Sequence, residues 1–283
     1  MRLGTTRRST KRSNPGNYGR ALTEINIHIG THGIASTFVA DVFERSDSIE
    51  LSKWFTQITP RQFRRNLRPA VNATRPDDVQ ARVQAARTTS LVRGIGDRDN
   101  EEKLFVLSQH NLLSGDQHTS SNGVFYPKGH TRVENLSTIF SEHEIHFTII
   151  VADLCTWFQH NVHDLKTEQD LADIVSDQTS HSWVELIKRL RRHASCESFR
   201  VWGLSRPLDK IEPLTQIFFS PGSRGKKLFS RKTGNQLENR FSHAPFAFTV
   251  SEALRAASIE RFKHEMETLK DEIDLKVEYV YPI

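Results

Sequence analysis

Residues 25–43 constrain this chain more than any other stretch. Ile25-Asn26-Ile27-His28-Ile29 alternates β-branched and polar residues as a strand does, and Gly30-Thr31-His32-Gly33-Ile34-Ala35-Ser36-Thr37 is small and hydroxyl-rich. Phe38, Val39, Val42 and Phe43 then return at helical spacing. Strand, tight loop and helix form the layout in which backbone N–H groups close around an anion that also faces the positive end of a helix dipole. Any strand turning into a helix favours Gly and Ser/Thr at the join, so the loop alone leaves a plain joint open beside a phosphate cradle. The G-x-x-x-x-G-K-[ST] loop of nucleotide kinases is absent.

The rest of the chain fits one large α/β domain. Its 283 residues suffice for a sizeable core, and no apolar run approaches the ~20 residues of a membrane helix. The basic start lacks the apolar segment of a secretory signal. Cys155 and Cys196 are too few for a disulfide framework and have no zinc-site spacing, which points to a reducing cytosol. The histidine pairs 28/32, 143/146 and 160/163 match no H-E-x-x-H helix, so no metal is expected.

Charge is unevenly distributed. The formal charge is +5, yet residues 1–20 alone carry six basic side chains and no acid, which leaves the body near neutrality. Residues 1–22 read as a disordered basic arm, either a salt-sensitive contact to anions or a solubilising tail, and residues 23–283 as a single domain. A near-neutral body argues against nucleic acid as the partner. A second basic stretch holds Arg61, Arg64, Arg65, Arg68, Arg75, Arg82, Arg87 and Arg93 against only Asp77 and Asp78. At helical spacing such arginines form either a solvated face or a funnel for anionic substrates.

Three later apolar runs, Leu104-Phe105-Val106-Leu107, residues 146–151 and Phe199-Arg200-Val201-Trp202, read as further strands. With amphipathic helices at 132–140, 182–190 and 251–274 they predict a three-layer α/β fold with a mainly parallel sheet and helices on both faces. The last helix, with Leu254, Phe262, Met266, Leu269 and Ile273 on one stripe, packs on the domain or on a partner helix such as a second copy of the chain. Residues 49–67 read as helical in pieces, with Trp54 and Phe55 in the core. Ligands of open α/β sheets bind beyond the carboxyl ends of strands, which brings Ser108-Gln109-His110-Asn111 to the same crevice as the Gly30 loop.

Residues 27–32 followed by Ala35-Ser36-Thr37 resemble the 5′-phosphosulfate loop of bacterial sulfotransferase-like proteins, roughly hydrophobic-His-hydrophobic-Gly-x-His-Lys/Arg-Thr-Ala/Gly-Ser/Thr-Thr. The resemblance continues in order through Ser108-Gln109-His110-Asn111-Leu112-Leu113, Val124-Phe125-Tyr126-Pro127 and Trp183 to Trp202, and covers about residues 25–218. It implies a P-loop-type fold that transfers a sulfuryl group from 3′-phosphoadenylyl sulfate (PAPS) to a hydroxyl acceptor such as a carbohydrate. Gly30, Thr31, His32, Gly33, Ala35, Ser36 and Thr37 would cradle the phosphosulfate. His110 stands where the family has a carboxylate, and an imidazole can likewise take a hydroxyl proton near neutral pH. Departures from the pattern are equally specific. Gly33 and Ile34 replace the loop cation and Thr, while Ala152 and His160 replace the Arg and Ser that hold the 3′-phosphate. Arg224, Lys226 and Lys227, in a late Gly-bearing loop, form either a flexible basic surface loop or, as the resemblance implies, a substitute for the lost 3′-phosphate Arg. The chain thus reads either as a sulfotransferase of low activity or as a catalytically degenerate relative that binds nucleotide or acts as a scaffold.

Overall fold

The computed structural model describes residues 23–30, 55–95, 104–109, 112–113, 120–161, 165–204, 248–272 and 275–279. Six of its strands form one sheet in the order β2-β3-β1-β6-β7-β8: β1 (Glu24–Ile29), β2 (Phe55–Ile58), β3 (Leu104–Gln109), β6 (Glu144–Ala152), β7 (Ser198–Leu204) and β8 (Leu275–Tyr279). All five neighbour pairings are parallel. The short strands β4 (Ser120–Ser121) and β5 (Val124–Phe125) make a separate antiparallel pair.

Alternation along β1 explains why the sheet is covered on both sides. Ile25, Ile27 and Ile29 share one face and are fully buried, while Asn26 and His28 share the other and are buried too. A strand buried on both faces needs a layer above and a layer below, as parallel sheets generally do. With helices flanking the sheet, this is the three-layer α/β fold expected from the sequence. One continuous apolar cluster extends from Ile25 to Leu269.

Between β2 and β3 lie α1 (Pro60–Asn66), α2 (Arg68–Val71), α3 (Pro76–Arg87) and α4 (Ser90–Ile95). Here the structure corrects the reading of residues 49–67 as broken helix, because Phe55–Ile58 pairs with β3 as a strand. The change of structure is built into the next residues. Thr59 Oγ1 accepts from Gln62 N at 3.2 Å while Gln62 Oε1 accepts from Thr59 N at 2.8 Å, and Pro60 opens the helix with no N–H to leave unpaired. Trp54 lies outside the described residues.

Further along the chain come α5 (Gly129–Ile139), α6 (Leu154–Asn161), α7 (Glu168–Ser176), α8 (Trp183–His193) and α9 (Glu252–Lys270). In α8 the residues Trp183, Leu186, Ile187 and Leu190 are buried at helical spacing, each stabilising the fold by about 1.5–3 kcal/mol. Phe125 stacks on Trp183 with ring centroids 4.2 Å apart, and Trp157 meets Phe125 edge-on at 4.7 Å. The stripe of α9 packs within the chain, against α6, α7, α8 and β8, with Leu254, Phe262, Met266 and Leu269 buried. Arg261 on α9 fixes the turn after α7 by donating to the carbonyls of Ile174, Val175, Asp177 and Ser180. Among the described residues no helix is long and apolar enough to cross a membrane.

Candidate functional site

The strand order locates the crevice. The chain leaves β1 toward the β2 edge and leaves β6 toward the β7 edge, so the connections diverge between two adjacent strands. That divergence is a topological switch point, where open α/β sheets hold ligands beyond their carboxyl ends. Gly30 follows β1 directly at this point and is buried. Of the sequence-derived cradle it alone is described: Thr31, His32, Gly33, Ala35, Ser36 and Thr37, together with His110, Arg224, Lys226 and Lys227, lie outside the described residues. His110 follows in sequence the last residue of β3, the strand hydrogen-bonded to β1.

Directly below this edge the sheet carries a polar row. Register pairs His28 with Ser108 on one side and with Thr148 on the other, and Thr148 with Arg200. His28 Nδ1 lies 2.9 Å from Ser108 Oγ. Burial strips the ring of solvent and pushes its pKa down to about 3, so His28 is neutral over the physiological range. Thr148 Oγ1, and Trp202 Nε1 one step further up β7, are buried without a hydrogen-bond partner among the described residues. Buried polar groups are nearly always satisfied, so these two atoms mark the polar part of a face that also carries buried Val106, Ile150 and Leu204.

At the end of β6, Ala152 stands where the resemblance implies an Arg for the 3′-phosphate. Ala152 is fully buried and its carbonyl accepts from Trp183 Nε1 at 2.8 Å. The next residue, Asp153, is an acid whose carboxylate accepts from Thr156 N at 3.1 Å, Thr156 Oγ1 at 2.6 Å and Ser258 Oγ at 2.9 Å. A buried, hydrogen-bonded carboxylate directly after this strand disfavours a phosphate beside it. The residues present here do not fit that part of PAPS. His160 falls within α6.

A second feature gathers the central arginines. A groove of about 530 Å³ is lined by Arg64 and Arg68 on one side and by Arg75, Asp78 and Arg82 of the α3 end on the other. Arg87 at the last turn of α3 pairs with Glu142, just ahead of β6, so α3 ends at the amino edge of the sheet. At 1.5 Å per residue, its 12 residues make α3 about 18 Å long. The turn between α2 and α3 is pinned from beneath. Buried Asn135 of α5 donates through Nδ2 to the carbonyls of Ala70, Val71 and Ala73 at 3.1, 3.2 and 3.0 Å. The charge run is legible in the sequence, whereas Asn135 is not, because its partners lie more than sixty residues away. Among the described residues no group of three or more His, Cys, Asp or Glu side chains converges as a metal site.

None of the family models, curated proteins or solved structures compared with this chain matches it.

Proposed function

We propose that this chain is a sulfotransferase-like α/β protein that takes the 5′-phosphate end of an adenosine nucleotide at the loop beginning with Gly30. In that reading His110, following β3, takes the proton of a hydroxyl acceptor such as a carbohydrate, and turnover is low. The observation that carries it is the position of Gly30, buried at the carboxyl end of the central strand between β3 and β6, at the switch point of a fully parallel sheet. The sequence resemblance supplies the identity of the anion.

A second reading, a degenerate sulfotransferase fold kept for binding or as a scaffold, is favoured by the end of β6. There the Ala152 carbonyl is engaged by Trp183, and Asp153 stands in place of any cation. Removing one preorganised donor to developing charge costs about 3 kcal/mol, and several such losses do not simply add. Incubating the protein with sulfur-labelled PAPS and a panel of sugars separates the readings. Label transfer that His110→Ala abolishes supports the enzyme. Nucleotide binding without transfer supports the binding protein, and the absence of both overturns the nucleotide reading altogether.

A further inference from the structure

The groove between α1–α2 and α3 stands apart from the β1 loop and has its own chemistry. Asp78 and Arg82 stand at i and i+4 on one face of α3, and Arg75 immediately precedes the helix as its N-cap residue. Asp78 Oδ1 accepts from Arg82 Nε at 2.6 Å, which neutralises the one acid in the lining. Arg64 and Arg68 face them from the opposite wall. The guanidinium groups of Arg64 and Arg75 make no hydrogen bond or ion pair among the described residues. Carbonyl oxygens at the end of α2, which would repel an anion, are instead directed to Asn135. The wall that remains is rich in donors and poor in acceptors.

We infer that this groove is a binding site for a small, multiply charged phosphate or sulfate ester. Arg64 and Arg75 make the direct contacts, Arg68 contributes charge, and the Asp78–Arg82 pair fixes one wall. Guanidinium groups suit such ligands because their planar forks match the oxygens of phosphate and sulfate bidentately. Size favours a small ligand, since a groove of about 530 Å³ matches a sugar of one or two rings. Charge argues the same way. The body outside residues 1–20 is close to neutral overall, which favours a small anion held locally over a long nucleic-acid backbone.

The test is a calorimetric titration of the full chain with inositol hexakisphosphate and with sucrose octasulfate, with sucrose as the uncharged control. Both anions are expected to bind in saturable fashion, sucrose is not, and the tighter of the two identifies the phosphate or the sulfate ester as the preferred source. The double variant Arg64→Gln/Arg75→Gln should bind about tenfold more weakly or worse, as expected when two charge-assisted contacts are lost. Its melting temperature should match that of the wild type, because both side chains are exposed. Arg93→Gln removes an exposed charge that does not line the groove and should leave affinity within about twofold. Equal weakening by Arg93→Gln overturns the proposal, as does binding of duplex DNA that is tighter and equally sensitive to the double variant. Titration of the same double variant with adenosine 3′,5′-bisphosphate keeps the two sites distinct, since binding that persists without the groove arginines belongs to the β1 loop.

Discussion

His28 Nδ1 and Ser108 Oγ meet at 2.9 Å across the adjacent strands β1 and β3, in a layer where both side chains are about 1% exposed. The pair ties β1 to β3 immediately below Gly30, and it makes the protein acid-sensitive. In the unfolded chain His28 titrates near 6.5, whereas burial holds it at about 3 in the fold. Between those values the unfolded state binds a proton that the folded state refuses, so stability is complete above 6.5 and falls as the pH drops toward 3. The slope approaches about 1.4 kcal/mol per pH unit, or about 2 kcal/mol from pH 6.5 to about pH 5, a window above the range of ordinary carboxylates. Glu265, whose carboxyl is pushed up by burial, works in the opposite direction, and His181, lowered to about 4 by burial and by Arg261, works in the same direction. The comparison is therefore between the wild type and His28→Gln in urea unfolding at the two pH values. The variant should show the smaller loss, and equal losses would contradict the assignment.

Asn135 should be expensive to replace. Its amide serves three carbonyls at the turn between α2 and α3, so Asn135→Leu strands the Val71 and Ala73 carbonyls in the interior, while the Ala70 carbonyl still accepts from Ala73 N. The expected loss is about 2–4 kcal/mol in urea unfolding, since each unsatisfied buried group costs ~1–3 kcal/mol. Polyanion binding at the groove should weaken as well, because the turn that carries Arg75 loses its anchor. A variant as stable as the wild type would show that the turn is held by other means.

The central strands were readable because they are long and apolar on at least one face: β1, β3, β6 and β7 all fall where the alternation and the apolar runs indicated. Strand β2 was not. Phe55-Thr56-Gln57-Ile58 is only four residues long, stands at the sheet edge and runs straight into the capping box at Thr59, so its pattern merges with helix. Strand β8 does alternate through Leu275, Val277 and Tyr279, yet it follows a 19-residue helix so closely that the change of period is easily missed. At the site, the place of Gly30 at the end of β1 could be derived from the alternation of residues 25–29, while the loop that follows it lies outside the described residues. The arginine groove could be seen only as charge, because a groove requires the long-range clamp from Asn135 that no local pattern encodes.

Gly33 stands where the resembled loop carries a cation, and it lies outside the described residues. If backbone N–H groups of residues 32–37 form the cradle, Gly33→Lys supplies the missing charge and should tighten adenosine nucleotide binding by about tenfold, the usual worth of one charge-assisted contact. A fluorescence competition assay reads this directly. Unchanged affinity would mean that the anion does not lie against residue 33.

The central claim is that an adenosine phosphate binds at the carboxyl end of β1. The most direct measurement is calorimetric titration of the full chain with adenosine 3′,5′-bisphosphate at low salt, repeated with Arg64→Gln/Arg75→Gln. The account predicts a saturable site below millimolar concentration that is weakened by added salt and persists in the double variant. Absence of heat up to millimolar nucleotide, or binding that disappears with the groove arginines, would contradict it.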